Sequence, residues 1–279
     1  MRNFFYSLFA IAVLCIVAGC NNAEGKGVLS KEQRDSLLRA DSAALKIAVL
    51  PTEDCLPIVV AKELRLFDTL GVDVHLKRYH AMSECRIALT TTLAEGSAID
   101  STLMRTLQGE NVGGSAKFDV TQPMGLTAGP ATALTWKFVT SKKARISRTA
   151  QLSNRIIAAD SHGESYRLAT LAIDSLVKKK QHVFIIQIED LRIRTEMLIN
   201  GNIDAALLPE PYASKACKAG AKVINTVKSQ PKGVIAFRTE ALEQKGRKQQ
   251  YDKFCKALDI ANDSIKKYGK DRYTPLLNW

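Results

Sequence analysis

Short apolar runs alternate with amphipathic segments along the chain from about residue 45 onward. Residues 46–50 are mainly apolar and end at Pro51, a pattern typical of a strand buried on both faces of a parallel sheet. Residues 72–76 alternate apolar with polar side chains, which predicts a half-buried second strand, and residues 97–100 predict a third. Segments with helical spacing separate these strands. This order predicts a parallel sheet with right-handed crossovers.

The alternation restarts after a segment rich in glycine and proline. We place the passage between two lobes in this segment, residues 111–135, because its composition favours turns. Strands are then predicted at 134–140, 155–160, 183–188, 203–208, 222–227 and 233–237, followed by two charged amphipathic helices. The sequence therefore predicts an α/β protein of two lobes, each a mainly parallel sheet flanked by helices, with a cleft between them.

The first 19 residues have the pattern of an export signal. Arg2 precedes a stretch without charge, from Phe4 to Val17, that is short for a transmembrane helix. Small residues lie directly before Cys20, as signal peptidases require. The segment resembles a bacterial lipobox, which implies that Cys20 becomes a lipidated N-terminus; an ordinary signal peptide with a chance cysteine is the alternative. Residues 20–43 are polar and predict a flexible tether.

Composition and motifs exclude several classes of function. The formal net charge is +12, but the basic residues are scattered and no aromatic side chains interleave them, so we predict a solvated surface and no nucleic-acid partner. The sequence lacks G-x-S-x-G, Walker A, H-E-x-x-H and G-x-G-x-x-G motifs, and its four histidines do not cluster. We therefore predict a protein that is not an enzyme and that needs no cofactor or metal.

Four cysteines remain after the predicted lipidation site. Cys55 and Cys85 follow strands that should be neighbours in the sheet, so a disulfide between them is the candidate pairing. A metal site that adds His80 to these two residues is the rival, and it has no clear fourth ligand. Cys217 and Cys255 are either a second pair or two buried thiols.

Three loops follow the carboxyl ends of predicted strands, where open α/β sheets bind ligands. They are residues 51–57, 160–166 and 209–212. The second loop also fits a simple helix cap and the third a stiff turn, so neither motif is specific. The candidate ligand-binding residues are Thr52, Glu53, Asp54 and Leu56 in the first loop, Ser161, His162, Gly163 and Ser165 in the second, and Glu210 in the third.

Two stretches resemble the solute-binding proteins of ABC importers, in the subgroup that handles nitrate, sulfonates, taurine or thiamine precursors. One runs from Lys46 through Pro57-Ile-Val-Val-Ala-Lys-Glu-Leu-Arg-Leu-Phe67 to Val74, and the other from Gln187 to Ile224. The block from Ile203 to Tyr212 is its most specific part. The resemblance spans residues 45–238, and relatives usually continue through another helix beyond the position of Trp279.

The resemblance implies the type 2 periplasmic binding protein fold, in which the chain crosses twice between lobes. The strand at 233–237 then returns to the first lobe. Lobe 1 is accordingly expected at residues 44–125 plus 233–279, and lobe 2 at residues 126–232.

The resemblance also implies an extracytoplasmic solute-binding component of an ABC importer. We expect a monomer in the cell envelope, anchored to the membrane by its lipid, that delivers a small-molecule ligand to an ABC permease. Glu53, Asp54 and Glu210 do not suit a purely anionic ligand, whereas helix N-termini favour acceptor groups. A taurine-like or sulfonate zwitterion or a pyrimidine-type heterocycle fits both. The alternatives are a ligand sensor without transport and an enzyme of this fold acting on a pyrimidine-type metabolite.

Overall fold

The computed structural model describes residues 30–32, 34, 36, 43–110, 123–132, 134–161, 163–177, 182–228 and 233–279. The predicted signal peptide, Cys20 and most of the predicted tether lie outside the described residues, as does His162. The chain divides into two units, residues 1–42 and 43–279. Within the described part of the chain, no helix has both the length and the apolar character needed to cross a membrane.

The second unit is built from strands and helices in alternation, as the sequence pattern predicts. The strands are β1 (Leu45–Val49), β2 (Val74–Arg78), β3 (Gly96–Asp100), β4 (Leu126–Thr132), β5 (Thr135–Thr140), β6 (Ile156–Ala159), β7 (Phe184–Gln187), β8 (Ala205–Pro209), β9 (Lys222–Lys228) and β10 (Gly233–Arg238). The helices are α1 (Leu56–Glu63), α2 (Leu66–Thr69), α3 (Met82–Thr90), α4 (Ser101–Leu107), α5 (Glu164–Val177), α6 (Leu191–Asn200), α7 (Tyr212–Lys218), α8 (Thr239–Glu243) and α9 (Arg247–Tyr268).

The first lobe contains a five-stranded sheet in the order β2-β1-β3-β10-β4. β1 is parallel to β2 and β3, whereas β10 runs antiparallel to β3 and β4. The long helix α9 covers this sheet with an aromatic cluster: the rings of Phe67 and Phe254 stack with centroids 5.4 Å apart, and Phe237 meets Phe254 edge-on at 5.5 Å. Such aromatic pairs bury large apolar areas and fix the helix against the sheet.

The second lobe contains a five-stranded sheet in the order β7-β6-β8-β5-β9. β6 is parallel to β7 and β8, and β5 runs antiparallel to both β8 and β9. In each lobe, three parallel strands are thus extended by strands that belong to the crossings between lobes. The predicted two-lobed α/β fold is confirmed, and β10 lies in the first sheet between β3 and β4.

The first crossing lies later in the chain than the sequence predicts. β4 pairs with β10 in the first sheet, so the crossing follows Thr132 and the predicted boundary between residues 125 and 126 is wrong. Glycine and proline suggested a break there, but β4 is an edge strand, where Pro130 can lack a donor without losing a ladder bond. Gly129 permits close pairing, because a β-carbon there would lie 2.7 Å from the Ile235 carbonyl oxygen.

Candidate functional site

The two lobes meet along a cleft that is closed by hydrogen bonds. These bonds come from main-chain and side-chain groups at the ends of strands and the starts of helices. They join Glu53 N to Glu210 O at 3.0 Å, Leu191 N to His80 O at 3.1 Å, Glu164 N to Asp100 Oδ2 at 3.1 Å, and Thr102 Oγ1 to Glu164 Oε2. In each case one partner belongs to the first lobe and the other to the second.

A small cavity lies between the lobes, with walls from both. Its volume is about 10 Å³, which is room for about one water molecule. A solute of several heavy atoms therefore enters only when the lobes separate. The lining residues are Leu50, Thr52, Asp54 and Met82 from the first lobe, and Leu134, Trp136, Asp160, Glu189, Leu191, Arg194 and Pro209 from the second.

Three polar atoms in this wall are buried without a hydrogen-bond partner among the described residues. They are Asp54 Oδ1, Trp136 Nε1 and Glu189 Oε1. Buried polar groups in folded proteins nearly always have a partner, and leaving one unpaired costs about 1–3 kcal/mol. Three such atoms at one cavity, contributed by both lobes, indicate a place where a solute supplies the missing partners.

Asp54 is held at the start of α1 by a short turn. Glu53–Cys55 form one turn of 3₁₀ helix directly before α1, whose first turn contains Pro57. Cys55 Sγ lies behind the turn and accepts from Leu50 N at 3.4 Å. Asp54 is only 2 % exposed, and this burial raises the pKa of its carboxyl group.

Arg194 is the cation of the second lobe's wall. Its side chain is 1 % exposed, and it donates from Nε to Ile188 O at 2.7 Å and from Nη1 to Leu207 O at 3.0 Å. Burial lowers the pKa of this guanidinium, while the neighbouring Asp160 acts in the opposite direction. Burial likewise raises the pKa of Asp160, and Arg194 opposes that change. The guanidinium is thus fixed by main-chain carbonyl groups and balances one buried carboxylate.

The cavity is rich in acidic groups. Asp54, Asp160 and Glu189 face it together with a single guanidinium, that of Arg194. Unpaired carboxylate oxygens accept hydrogen bonds and favour cations or N–H groups. The Trp136 indole adds one N–H donor and an aromatic surface. This combination suits a flat, nitrogen-rich solute better than a simple anion.

The structure brings four of the predicted ligand residues to the cleft interior. Thr52 and Asp54 line the central cavity. Ser161 and Gly163 line a neighbouring cavity, also of about 10 Å³, which shares Met82, Asp160 and Glu189 with the first. Ser165 is buried and lines neither cavity, and its hydroxyl accepts from Asp160 N at 2.9 Å and from Arg194 Nη1 at 3.4 Å.

Glu53 and Leu56 lie elsewhere. Both line a pocket of about 190 Å³ between α1, β4, β10 and α9, which Asp54 also borders, and neither lines the central cavity. The Glu53 carboxylate also bonds to Lys270 Nζ, at 3.1 Å. The helical turn at Glu53–Cys55 directs successive side chains to different sides, so only Asp54 of its residues lines the central cavity.

Glu210 stands beside the cleft and not inside it. Its carboxylate pairs with Lys137 and accepts from Ser214 N in the first turn of α7 at 3.0 Å, and it faces an outer groove. Burial alone would raise its pKa, but the bonds from Lys137 and Ser214 outweigh this effect and hold the pKa below its usual value. Only its main-chain carbonyl contributes to the closed cleft, as the acceptor for Glu53 N.

The cysteines are free thiols in this structure, so the predicted disulfide between Cys55 and Cys85 is not formed. Both are fully buried, and burial raises their pKa values, that of Cys85 to about 12. They pack as small apolar side chains within the first lobe's core. No cluster of three histidine, cysteine or acidic side chains suited to a metal ion occurs among the described residues.

Three cavity residues with polar or charged side chains lie outside the predicted loops: Trp136, Glu189 and Arg194. Glu189 follows the end of β7, so it lies in a fourth loop of the same kind as the three considered. Arg194 carried a clearer signal, because it falls on the apolar stripe formed by Leu191 and Leu198 along α6. A charged residue on a buried helix face needs a buried partner.

The fold is that of the solute-binding proteins of ABC import systems. A ligand-binding component of such a system from Staphylococcus aureus superposes with a TM-score of 0.62 at 15 % identity, covering 85 % of this chain and 84 % of that one. The alkanesulfonate-binding protein SsuA from Xanthomonas axonopodis pv. citri, bound to MOPS, gives 0.61 at 14 % identity, with coverages of 84 % and 78 %. An ancestral arginine-binding protein gives 0.56 at 16 % identity, with coverages of 83 % and 98 %.

The sequence itself identifies the family. The NMT1-like family model matches residues 39–272, so the chain belongs to the NMT1-like family. Among curated proteins, no sequence match is found. The solved structures share the fold at low identity, and their ligands differ from one another.

Proposed function

We propose that this protein is the extracytoplasmic solute-binding component of an ABC importer and that its solute is a small, N–H-rich heterocycle of the aminopyrimidine type. The observation that carries the proposal is the set of unpaired polar atoms, Asp54 Oδ1, Trp136 Nε1 and Glu189 Oε1, at one cavity between the lobes. An aminopyrimidine offers N–H donors to both carboxylates and a ring nitrogen to the indole N–H.

The charge of the cavity separates this solute from the others that the family resemblance suggests. Nitrate and aliphatic sulfonates would bring a negative charge beside Asp54, Asp160 and Glu189, with Arg194 already held by main-chain carbonyls. A taurine-like zwitterion satisfies the carboxylates with its amine but leaves its sulfonate with few donors. The heterocycle supplies partners to both kinds of group.

Closure of the cleft is the step that links binding to delivery. The solute contacts residues of both lobes, so it stabilises the closed form over the open one and shifts the population toward closure. A permease that recognises the closed lobes then receives only loaded protein. Export and lipidation at Cys20 belong to the same proposal, and loss of metabolic lipid labelling in a Cys20→Ser variant would support them.

Isothermal titration calorimetry tests the choice of solute. The panel contains aminopyrimidines, taurine, aliphatic sulfonates and nitrate, and we expect only the aminopyrimidines to bind tightly. At a concentration one hundred times the Kd, the bound solute adds about 2.7 kcal/mol to the free energy of unfolding, which a thermal shift detects. Tight binding of nitrate or a sulfonate, without binding of aminopyrimidines, would refute the proposal.

Variants of the unpaired atoms locate the site. Asp54→Asn, Glu189→Gln and Trp136→Phe each remove or invert one hydrogen bond to the solute, which weakens binding by about 10- to 100-fold. Asp259→Asn on the exposed face of α9 and Glu196→Gln, whose side chain is 51 % exposed, are the matched controls and should bind normally. Equal affinity in all five variants would place the solute elsewhere.

A further inference from the structure

Each lobe contributes one buried carboxylate to the contact between the lobes, next to the solute cavity. On the first lobe this group is Asp100, at the end of β3, and it is 0 % exposed. Its Oδ1 caps α4 by accepting from Leu103 N at 2.8 Å, and its Oδ2 accepts from Glu164 N of the second lobe at 3.1 Å. Asp100 is therefore both a helix cap and a contact between lobes.

The opposing carboxylate is Asp160, at the end of β6 in the second lobe. Its Oδ1 accepts from Gly163 N at 3.0 Å and from Tyr166 N at 3.1 Å. A β-carbon built on Gly163 would lie 2.8 Å from Oδ2 of Asp100 and 2.8 Å from Oδ2 of Asp160. The two carboxylates thus converge on one point from opposite lobes, and only a glycine leaves room between them.

The surrounding charges do not neutralise this pair. The guanidinium of Arg167 donates to both carboxylate oxygens of Glu164, from Nε at 2.7 Å and from Nη2 at 2.6 Å. Glu164 also accepts from the Thr102 hydroxyl across the cleft. Arg194 faces Asp160 and also Glu189, so its charge is shared.

Arg86 lines the adjoining cavity with Asp160 and Glu189. The neighbouring strand β10 pairs with β3, and the residue it places opposite Asp100 is the uncharged Gly233. Arg167 is the cation that acts on Asp100 at a distance, but its hydrogen bonds go to Glu164, and its charge does not offset burial and the nearby Asp160.

Closing the lobes takes Asp100 out of water and brings it against a second carboxylate. Two carboxylates in one buried site do not both stay ionised, and one takes up a proton. In the closed structure, burial together with Asp160 raises the pKa of Asp100 from its ordinary 3.8 to about 7. An open cleft restores solvent to Asp100 and separates it from Asp160.

We propose that the lobes close with a proton bound at Asp100, so that solute capture is coupled to proton uptake. The inference rests on the proposed function, because it concerns the closing movement of that same cleft. Acidification then favours the closed form, and a neutral or alkaline medium favours opening and release.

The expected size follows from linkage between the two forms. Below pH 7 the ratio of closed to open protein rises by about tenfold per pH unit, until the open form is protonated too. Between pH 8 and pH 5 the ratio therefore rises roughly a hundredfold from this one group.

The experiment needs no solute, because the proton is the probe. Trp136 lies in the cleft and is 4 % exposed, and it is one of two tryptophans. In a Trp279→Phe background its emission reports opening of the cleft, and small-angle X-ray scattering at the same pH values reports the radius of gyration. From pH 8 to pH 5 we expect a blue shift and a smaller radius, with the change beginning near pH 7 and continuing as the pH falls.

Asp100→Asn is the decisive variant, because asparagine caps a helix as well as aspartate does and cannot ionise. It should stay closed at pH 8 and lose the transition between pH 7 and pH 5. Asp160→Asn is the second variant, and it should move the midpoint to lower pH by removing the opposing charge. Asp259→Asn and His80→Asn should keep the wild-type transition. His80 is the informative control, because its main chain joins the lobes and histidine titrates in this pH range.

A wild-type protein whose emission and radius do not change between pH 8 and pH 5 would overturn the proposal. So would a transition that persists in Asp100→Asn or disappears in His80→Asn. A protein that binds aminopyrimidines without this pH transition would refute proton coupling alone. A pH transition without binding of any aminopyrimidine would refute only the assignment of the solute.

Discussion

Replacing Arg194 with methionine tests how the second lobe holds the cleft together. Methionine has a similar length and fills the buried space, so the change removes charge and donors with little loss of volume. The Ile188 and Leu207 carbonyl oxygens lose donors at 2.7 and 3.0 Å, and Ser165 loses a weaker one at 3.4 Å. Asp160 is left as a buried carboxylate without its cation.

The magnitude follows from these losses. A hydrogen bond from a charged donor contributes about 1.5–3 kcal/mol, and removing one partner of a buried ion pair costs about 3–5 kcal/mol. These contributions overlap, so we expect Arg194→Met to lower the free energy of unfolding by about 3–5 kcal/mol. For a body of this size, that corresponds to a fall in Tm of about 10 °C.

Urea unfolding followed by circular dichroism measures the change. Arg192→Met, two residues away on the same helix, is the matched control: its side chain is 52 % exposed and pairs with Asp190, so it should cost less than about 1 kcal/mol. Adding Asp160→Asn to Arg194→Met should restore part of the loss, because the uncompensated charge is then gone. An Arg194→Met protein within 1 kcal/mol of wild type would refute this account of the wall.

Other regions of the molecule give two further expectations. Gly96→Ala would place a methyl group 2.7 Å from the ring of Phe237. In the same unfolding assay, it should lower the stability of the first lobe by about 1–3 kcal/mol. Gly125→Ala is the control, because its added methyl group meets its nearest atom at 3.5 Å and should change stability little. Iodoacetamide should leave the buried Cys55 and Cys85 unmodified in the native protein and should label both once the protein is unfolded without reductant. Mass spectrometry measures the labelling. Labelling that requires a reductant would reveal a disulfide that the structure lacks.

Periodicity in the sequence predicts most of the fold. The spacing of apolar residues predicts buried strands such as β1 and amphipathic helices such as α5. α6 has an N-cap at Asp190, which accepts from Arg192 N, and it ends at Gly201 with a φ of 73°. β4 was missed because its glycine and proline mimic a loop, and only pairing with a distant strand shows that an edge position tolerates them.

The site was harder to predict because side-chain direction decides it. The loop at residues 51–57 supplies Thr52 and Asp54 to the central cavity, but its 3₁₀ turn leaves Glu53 outside that cavity. Asp54 also borders the 190 Å³ pocket that Glu53 lines. Glu210 occupies the expected loop, but Lys137, from a strand far away in sequence, draws its carboxylate to the outer groove. Such competition between partners depends on tertiary contacts that a linear pattern does not contain.

Small-angle X-ray scattering with and without solute, at pH 8, tests most directly whether two lobes close on a bound molecule. The solute is the tightest-binding member of the calorimetric panel. We expect its addition to reduce the radius of gyration and to bring the scattering curve to the one calculated for the closed cleft. An unchanged curve at a solute concentration that calorimetry shows to be saturating would contradict closure as the mechanism of capture.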